Sequence, residues 1–328
     1  MQGFYTSIAR FGNQLLYRGY NPSGVKIQQK IKYKPHLFVP SKTETGWKTL
    51  DGLNVGRVDF DKMSDARDWI KQYNDVGSFK IYGNTNYIAQ YIAETFPGEI
   101  KYKEHMINVV NFDIEVHSEE GFPHAEEAAH PITAITLKSS KSNIYEVWST
   151  CEYNPEKTEL DMGTALIRFR KFDTEVAMMA SFVEYWANDY PDVITGYNIR
   201  GFDVPYVINR LGRIGSPEAQ KRMSPWGIVN FKEINVKGQN LNTFEMLGIE
   251  QLDYYDLFQK FALSYGKQES YKLDHIAHVV LGKSKLSYEE YGNLDRLYKE
   301  NPQKYVDYNI RDVQVIEEMD KKLGLMSL

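Results

Sequence analysis

A single cysteine, Cys151, stands among the 328 residues, which excludes an intrachain disulfide and offers no cysteine cluster for zinc. Long apolar runs are missing as well. No stretch approaches the ~18 apolar residues of a membrane-spanning helix, and the opening MQGFYTSIAR lacks the apolar segment of a secretion signal. A cytoplasmic protein is the expectation. Neither an internal repeat nor a low-complexity linker is evident. The remaining composition, 42% hydrophobic and 25% charged, is that of a globular chain. Its length allows one large domain or two ordinary ones.

The net charge of −5 argues at first sight against a polyanionic partner, but the charge is unevenly placed. Residues 1–104 hold 15 Lys/Arg against 10 Asp/Glu, and residues 1–50 hold eight basic side chains against Glu44 alone. Residues 105–328 then carry the remaining 24 of 39 basic and 34 of 44 acidic side chains. Such asymmetry suggests a phosphate-facing patch beside an acidic site, with a merely solvated basic face as the alternative.

Short strands are expected in FYTSIAR, in QLLYRGY after Gly12-Asn13, and in VKIQQKIKYK after Pro22-Ser23-Gly24. A helix over 63–74, with Ser64 as its N-cap, carries Ala66, Trp69, Ile70 and Tyr73 along one stripe. A domain boundary is placed near 104. Beyond it strands are expected near 107–116, 132–138, 143–149 and 192–196. Helices are expected near 174–189, from about 204, and near 270–281 and 303–323. VNFKEINV and LNTFEML flank Lys237-Gly238-Gln239-Asn240 and read as a hairpin with a four-residue connection. The pattern is that of an α/β domain following a β-rich one.

Three segments carry the chemistry. In NVVNFDIEV (108–116) strand alternation puts Val110, Phe112, Ile114 and Val116 on one face and Asn111, Asp113 and Glu115 on the other. Two carboxylates a pleat apart repel unless a cation or solvent compensates them. The bland alternative is a half-exposed strand with an acidic outer face. In ITGYNIRGFDVPYVINR (194–210), Gly196 and Gly201 give the loop backbone latitude, and Asp203 precedes a helical stripe of Val204, Val207, Ile208 and Leu211. Read in isolation, Asp203 is an N-cap. In KYVDYNIRDVQVI (304–316), Tyr308 and Asp312 are four apart and share a helical face beside an apolar stripe of Val306, Ile310 and Val313. A surface Tyr/Asp pair is the alternative there. His275 and His278 read as helix-surface residues.

Taken in order, NFDIEV, TGYNIRGFD and YVDYNIRD resemble the three exonuclease motifs of family B DNA polymerases, in the tyrosine-bearing subclass of DEDD exonucleases. The resemblance extends to T-even-like bacteriophage replicative polymerases over essentially the whole chain. It takes in FYTSIARFGN, DARDWI, GFPHAEEAAHPITAIT, RMSPWG, LDYYDLFQKFA and YKLDHIAHVVLGKSKL.

The resemblance implies a ribonuclease H-like (DEDD) exonuclease domain over 105–328 beside a β-rich N-terminal domain over 1–104. Carried over residue by residue, Asp113, Glu115, Asp203 and Asp312 match the metal ligands, and Tyr308 the motif's tyrosine. The implied cofactors are two divalent ions, Mg²⁺ or Mn²⁺, which ~3.5–4 Å apart clamp the attacking and leaving oxygens at phosphorus. Tyr308 would orient the water or the scissile phosphate, since a phenol near pKa ~10 stays protonated at neutral pH. Phe122, Asn198 and Phe202 are the implied DNA contacts, by stacking or by holding the terminal nucleotides. The hairpin resembles the element these polymerases use to hold strands apart.

The implied function is 3′→5′ proofreading hydrolysis of single-stranded DNA ends, in the bacterial host cytoplasm if of phage origin. The implied partners are a single-stranded 3′ end and primer-template DNA, with RNA or template strand at the basic N-terminal segment. Polymerase motifs resembling SLYPS and DTDS are not found. The chain stops at KKLGLMSL in what reads as a continuing helix, so a truncated or naturally split polymerase, without polymerase activity of its own, is expected. Two other classes stay open: a nucleic-acid-binding module with minor nuclease activity, and a ribonuclease of the same superfamily.

Overall fold

The computed structural model describes residues 3–74, 79–117, 121–236, 239–283 and 286–327. The chain divides into two compact units, Met1–Lys103 and Glu104–Leu328.

In the first unit β1 (Phe4–Phe11), β2 (Gln14–Tyr20) and β3 (Lys26–Lys32) form an antiparallel meander. Phe11 pairs with Gln14, so the turn is Gly12-Asn13, with Gly12 at φ 60° as a tight hairpin requires. A second sheet has the order β4 (His36–Pro40), β6 (Asn54–Asp59), β5 (Trp47–Lys48). Helices α1 (Met63–Asn74) and α2 (Tyr87–Thr95) contribute to a core that includes Leu15, Tyr33, Leu37, Met63, Ala66 and Tyr87. Ser64 lies inside α1 rather than capping it. The turn residue Asn13 takes the Ser64 N–H on its carboxamide oxygen at 2.8 Å, doing from 51 residues away what a local N-cap would do.

In the second unit, among the described residues, a mixed six-stranded sheet is the frame. Its strands are β7 (Val109–Val116), β8 (Ile132–Ser139), β9 (Ile144–Ser149), β10 (Leu166–Lys171), β11 (Val193–Gly196) and β14 (Glu250–Asp253), in the order β10-β9-β8-β7-β11-β14. β7, β8 and β9 form an antiparallel meander, while β10, β11 and β14 each join in parallel. On one side α3 (Glu175–Asn188) and α4 (Asp203–Ile214) bury Phe182, Trp186, Val207 and Leu211 against Val110, Phe112 and Ile114 of β7. On the other side α9 (Pro302–Leu323) packs Tyr305, Val306, Ile310 and Val313 against Ala134, Tyr145 and Val147.

Shorter elements complete the unit: α5 (Pro217–Lys221), the hairpin β12 (Val229–Val236) and β13 (Gln239–Met246), α6 (Tyr254–Phe261), α7 (Leu273–Leu281) and α8 (Leu294–Glu300). The hairpin pairs through Val236 and Gln239, two residues tighter than the four-residue connection read from the sequence. Lys237 and Gly238 lie outside the described residues. Nor does α9 run on to the end. Gly324 closes it at φ 64°, a left-handed cap that glycine adopts at little cost. Among the described residues no helix is long and apolar enough to cross a membrane.

Candidate active site

β7 alternates as its sequence requires, with Val110, Phe112 and Ile114 in the core. The opposite face is no acidic outer surface, however. Asn111 and Glu115 are buried, and α9 lies over that side of the sheet. A stripe spaced four residues apart along α9 fastens helix to sheet. The Tyr305 hydroxyl lies 2.7 Å from the Thr133 hydroxyl, which donates to the Glu115 carbonyl at 3.2 Å. Asn309 bonds both Thr136 and Asp113. The Val313 carbonyl accepts from the Asn111 side chain at 2.7 Å. Glu317 accepts from the Tyr145 hydroxyl and lies 3.6 Å from the Lys138 ammonium. The contacts descend β7 from Glu115 to Asn111 as they ascend α9, so the two run antiparallel. The spacings also agree, since eight helical residues rise ~12 Å and four strand residues ~13 Å.

That docking brings together Asp113 and Glu115 from β7 and Asp312 from α9, each with a carboxylate oxygen within 4.8 Å of the others'. Tyr308, one helical turn before Asp312, is buried rather than at the surface. Its ring meets that of Tyr288 edge-on at 5.4 Å. Burial pushes the Tyr308 phenol far above its ordinary value, and the neighbouring Asp312 and Glu115 add to the rise.

Asp203 stands outside this trio while lining the same cavity. It is not an N-cap. α4 begins at Asp203 itself, with Phe202 in the cap position making no side-chain cap bond. The Asp203 carboxylate instead accepts the Ile114 N–H of β7 at 3.1 Å. Burial raises its pKa well above the carboxylate range; the Ile114 N–H works against that rise, and Asp253 and Asp312 add to it. Gathering buried carboxylates is costly without a compensating charge. An all-oxygen donor set suits a hard divalent cation.

The cavity measures about 1080 Å³, and Asp113, Glu115, Phe122, Asn198, Phe202, Asp203, Tyr308 and Asp312 all line it. Phe122 is 75% exposed, its ring 5.1 Å from that of Phe202, so it is an open aromatic surface and not core packing. Asn198 sits at φ 62°, a left-handed conformation that this loop holds by specific bonds. Asp253, at the end of β14, accepts the N–H groups of Asn198 at 2.8 Å, Arg200 at 3.0 Å and Tyr255 at 3.0 Å. Burial raises its pKa to about 6. Gly196 is required by space as well as by φ, because a Cβ there would stand 2.4 Å from the Phe112 carbonyl oxygen. Asn309 and Asp253 were not singled out from the sequence. His275 and His278 lie on α7 outside the acidic trio.

A mixed sheet whose central strand bears two carboxylates, with a helix laid antiparallel along it that bears a third and a tyrosine, is the arrangement of a ribonuclease H-like exonuclease domain. A family model described as DNA polymerase family B, exonuclease domain, matches residues 69–276, and the chain belongs to that family. The whole chain is 32% identical to the DNA-directed DNA polymerase of Escherichia phage RB69 and 31% identical to that of Enterobacteria phage T4. It spans 38% of the length of each. The DNA polymerase catalytic subunit of Epstein-Barr virus (strain B95-8) is 28% identical over 58% of the chain and 19% of its own length. The family match ends before Tyr308 and Asp312, which fall within the phage alignments.

Proposed function

We propose that this chain is the 3′→5′ proofreading exonuclease portion of a family B DNA polymerase. It hydrolyses the 3′-terminal phosphodiester of single-stranded DNA and releases nucleoside monophosphates in the cytoplasm of a bacterial host. The observation that carries the reading is the meeting of Asp113, Glu115 and Asp312 within 4.8 Å, beside Tyr308.

In this reading Asp113, Glu115, Asp203 and Asp312 hold two divalent ions, Mg²⁺ or Mn²⁺. Such ions supply charge to the attacking and leaving oxygens of an in-line displacement. The chain's own residues do the rest. Tyr308, protonated throughout the neutral range, donates a hydrogen bond and so orients water or the scissile phosphate without removing a proton. Phe122 and Phe202 offer ring faces to the terminal bases, where stacking is worth ~1–3 kcal/mol per base and tolerates any sequence. Asn198, fixed by Asp253, holds the terminal nucleotide. The substrate must unpair to enter, at a cost of a few kcal/mol that a mismatch lowers.

Residues 1–104 are the β-rich N-terminal domain of such a polymerase. Lys30 and Lys32, two apart and exposed on β3, present one basic face to template strand or RNA. The remaining partners are primer-template DNA and the polymerase portion that the relatives' names describe. The reading is tested with matched DNA and RNA oligonucleotides in Mg²⁺, and preferential shortening of the DNA is expected. Equal cleavage of both would favour a ribonuclease. Tight binding with negligible cleavage would favour a binding module.

A further inference from the structure

Asp113 and Thr136 are register partners on adjacent strands, so their side chains share the sheet face beneath α9. Between them sits the Asn309 carboxamide, fully buried and one residue past Tyr308. Its Nδ2 donates to Asp113 Oδ2 at 2.6 Å, and its Oδ1 accepts from the Thr136 hydroxyl at 2.5 Å. The chemistry fixes this orientation. An ionised carboxylate only accepts, so the amide NH₂ must face Asp113, and the Thr136 hydroxyl has the proton that the amide oxygen needs.

We propose that Asn309 is a positioning residue for the carboxylate trio, with Thr136 setting the direction of its amide. The inference rests on the reading of that trio as a divalent-cation site. One oxygen of Asp113 is tied by a charge-assisted bond, so the carboxylate no longer rotates freely about χ2. The same bond withdraws charge from Asp113 and eases its repulsion with Glu115 and Asp312. Ligands oriented from behind in this way lose about 10–100-fold in metal affinity when the orienting partner is removed.

Holding α9 in place does not depend on this link. Tyr305, Val313 and Glu317 fasten the helix at the turns on either side, and Val306, Ile310 and Val313 seat it in a core. Asn111 provides the contrast. It is a buried carboxamide on the β7 side of the same interface, and its Nδ2 bonds the Val313 carbonyl instead of a carboxylate. Its loss weakens helix docking without touching a proposed ligand.

The test is calorimetric titration of the full chain with Mn²⁺ in the absence of DNA, with a melting curve for each variant. Asn309→Ala should weaken Mn²⁺ binding about 10–100-fold. Thr136→Val, which replaces the donating hydroxyl with a methyl group, should shift affinity in the same direction by less. The double variant should be no worse than Asn309→Ala, because the two act in series. Asn111→Ala should lower the melting temperature and leave Mn²⁺ affinity unchanged. In nuclease assays excess Mn²⁺ should restore much of the Asn309→Ala rate. If Asn309→Ala fails to fold, Thr136→Val decides the question. Wild-type affinity in a folded Asn309→Ala or Thr136→Val protein, or an equal loss in Asn111→Ala, would overturn the inference. A wild-type chain that binds no Mn²⁺ would instead overturn the reading of the trio itself.

Discussion

The Asp203 carboxylate accepts the Ile114 backbone N–H at 3.1 Å, tying the start of α4 to the strand that carries Asp113 and Glu115. Ile114 lies between those two acids, so a bond to its amide anchors Asp203 to the strand that carries them. Asp203→Asn keeps an acceptor for Ile114 and removes a buried charge. It should therefore fold with at least wild-type stability in chelator while losing exonuclease activity by roughly 10²–10³-fold or more. Melting curves and single-turnover rates check the two halves separately.

Metal-free protein should lose stability as pH rises. Asp203 and Asp253 both have folded pKa values raised above the ordinary 3.8. A group of that kind contributes stability in full below its unfolded pKa and loses it as pH climbs through its folded pKa. The loss begins near pH 4, continues through about 6, where Asp253 titrates, and proceeds as Asp203 ionises above that. Cation binding to Asp203 opposes the last part, so the gain in melting temperature on adding Mn²⁺ should be larger at about pH 8 than at about pH 6. Asp203→Asn should flatten that difference.

Tyr308→Phe should lower the cleavage rate far less than Asp113→Ala or Asp312→Ala, and Mn²⁺ affinity should survive. Because the phenol stays protonated across the neutral range, the variant should lower the pH–rate profile without changing its shape. A lost basic limb would show that Tyr308 titrates during the reaction.

Much of this arrangement was legible in the sequence because its carboxylates sit on regular elements. Period two placed Asp113 and Glu115 together, and four-residue spacing placed Tyr308 with Asp312. Asp203 was misread in isolation because an aspartate before an apolar helical stripe looks the same whether it caps its own helix or reaches a distant strand. Asn309 and Asp253 were not legible at all. Their roles depend on the β7–β8 register and on the parallel pairing of β11 with β14, which bring together residues far apart in the chain. The edge strand β10 was not read, although LIRFRK interleaves apolar and basic residues as a half-buried strand does.

Asp253→Ala should leave the N–H groups of Asn198, Arg200 and Tyr255 without their acceptor. A loss of at least about 2 kcal/mol is expected, at the scale of buried donors left unsatisfied. The left-handed Asn198 loop should relax with it, so weaker binding of single-stranded DNA should accompany the fall in melting temperature. Unchanged DNA affinity in a destabilised variant would separate that loop from the substrate.

On β3, Lys30→Glu with Lys32→Glu should weaken nucleic-acid binding and flatten its dependence on salt, because fewer counterions are released. Lys34 is a poor third choice, since it already pairs with Asp61 at 2.7 Å. Fluorescence anisotropy across a salt series reads the slope directly.

The most direct measurement follows one labelled primer, alone and annealed with a matched or mismatched 3′ end, in Mg²⁺ with wild type and Asp113→Ala. A label at the 5′ end should yield a ladder shortening one nucleotide at a time, and a label at the 3′ end should appear first as a mononucleotide. The free strand should be trimmed fastest, the mismatched end next and the matched end slowest, with Asp113→Ala inert on all three. Equal rates on the matched duplex and the free strand, or near-normal cleavage by Asp113→Ala, would contradict the account.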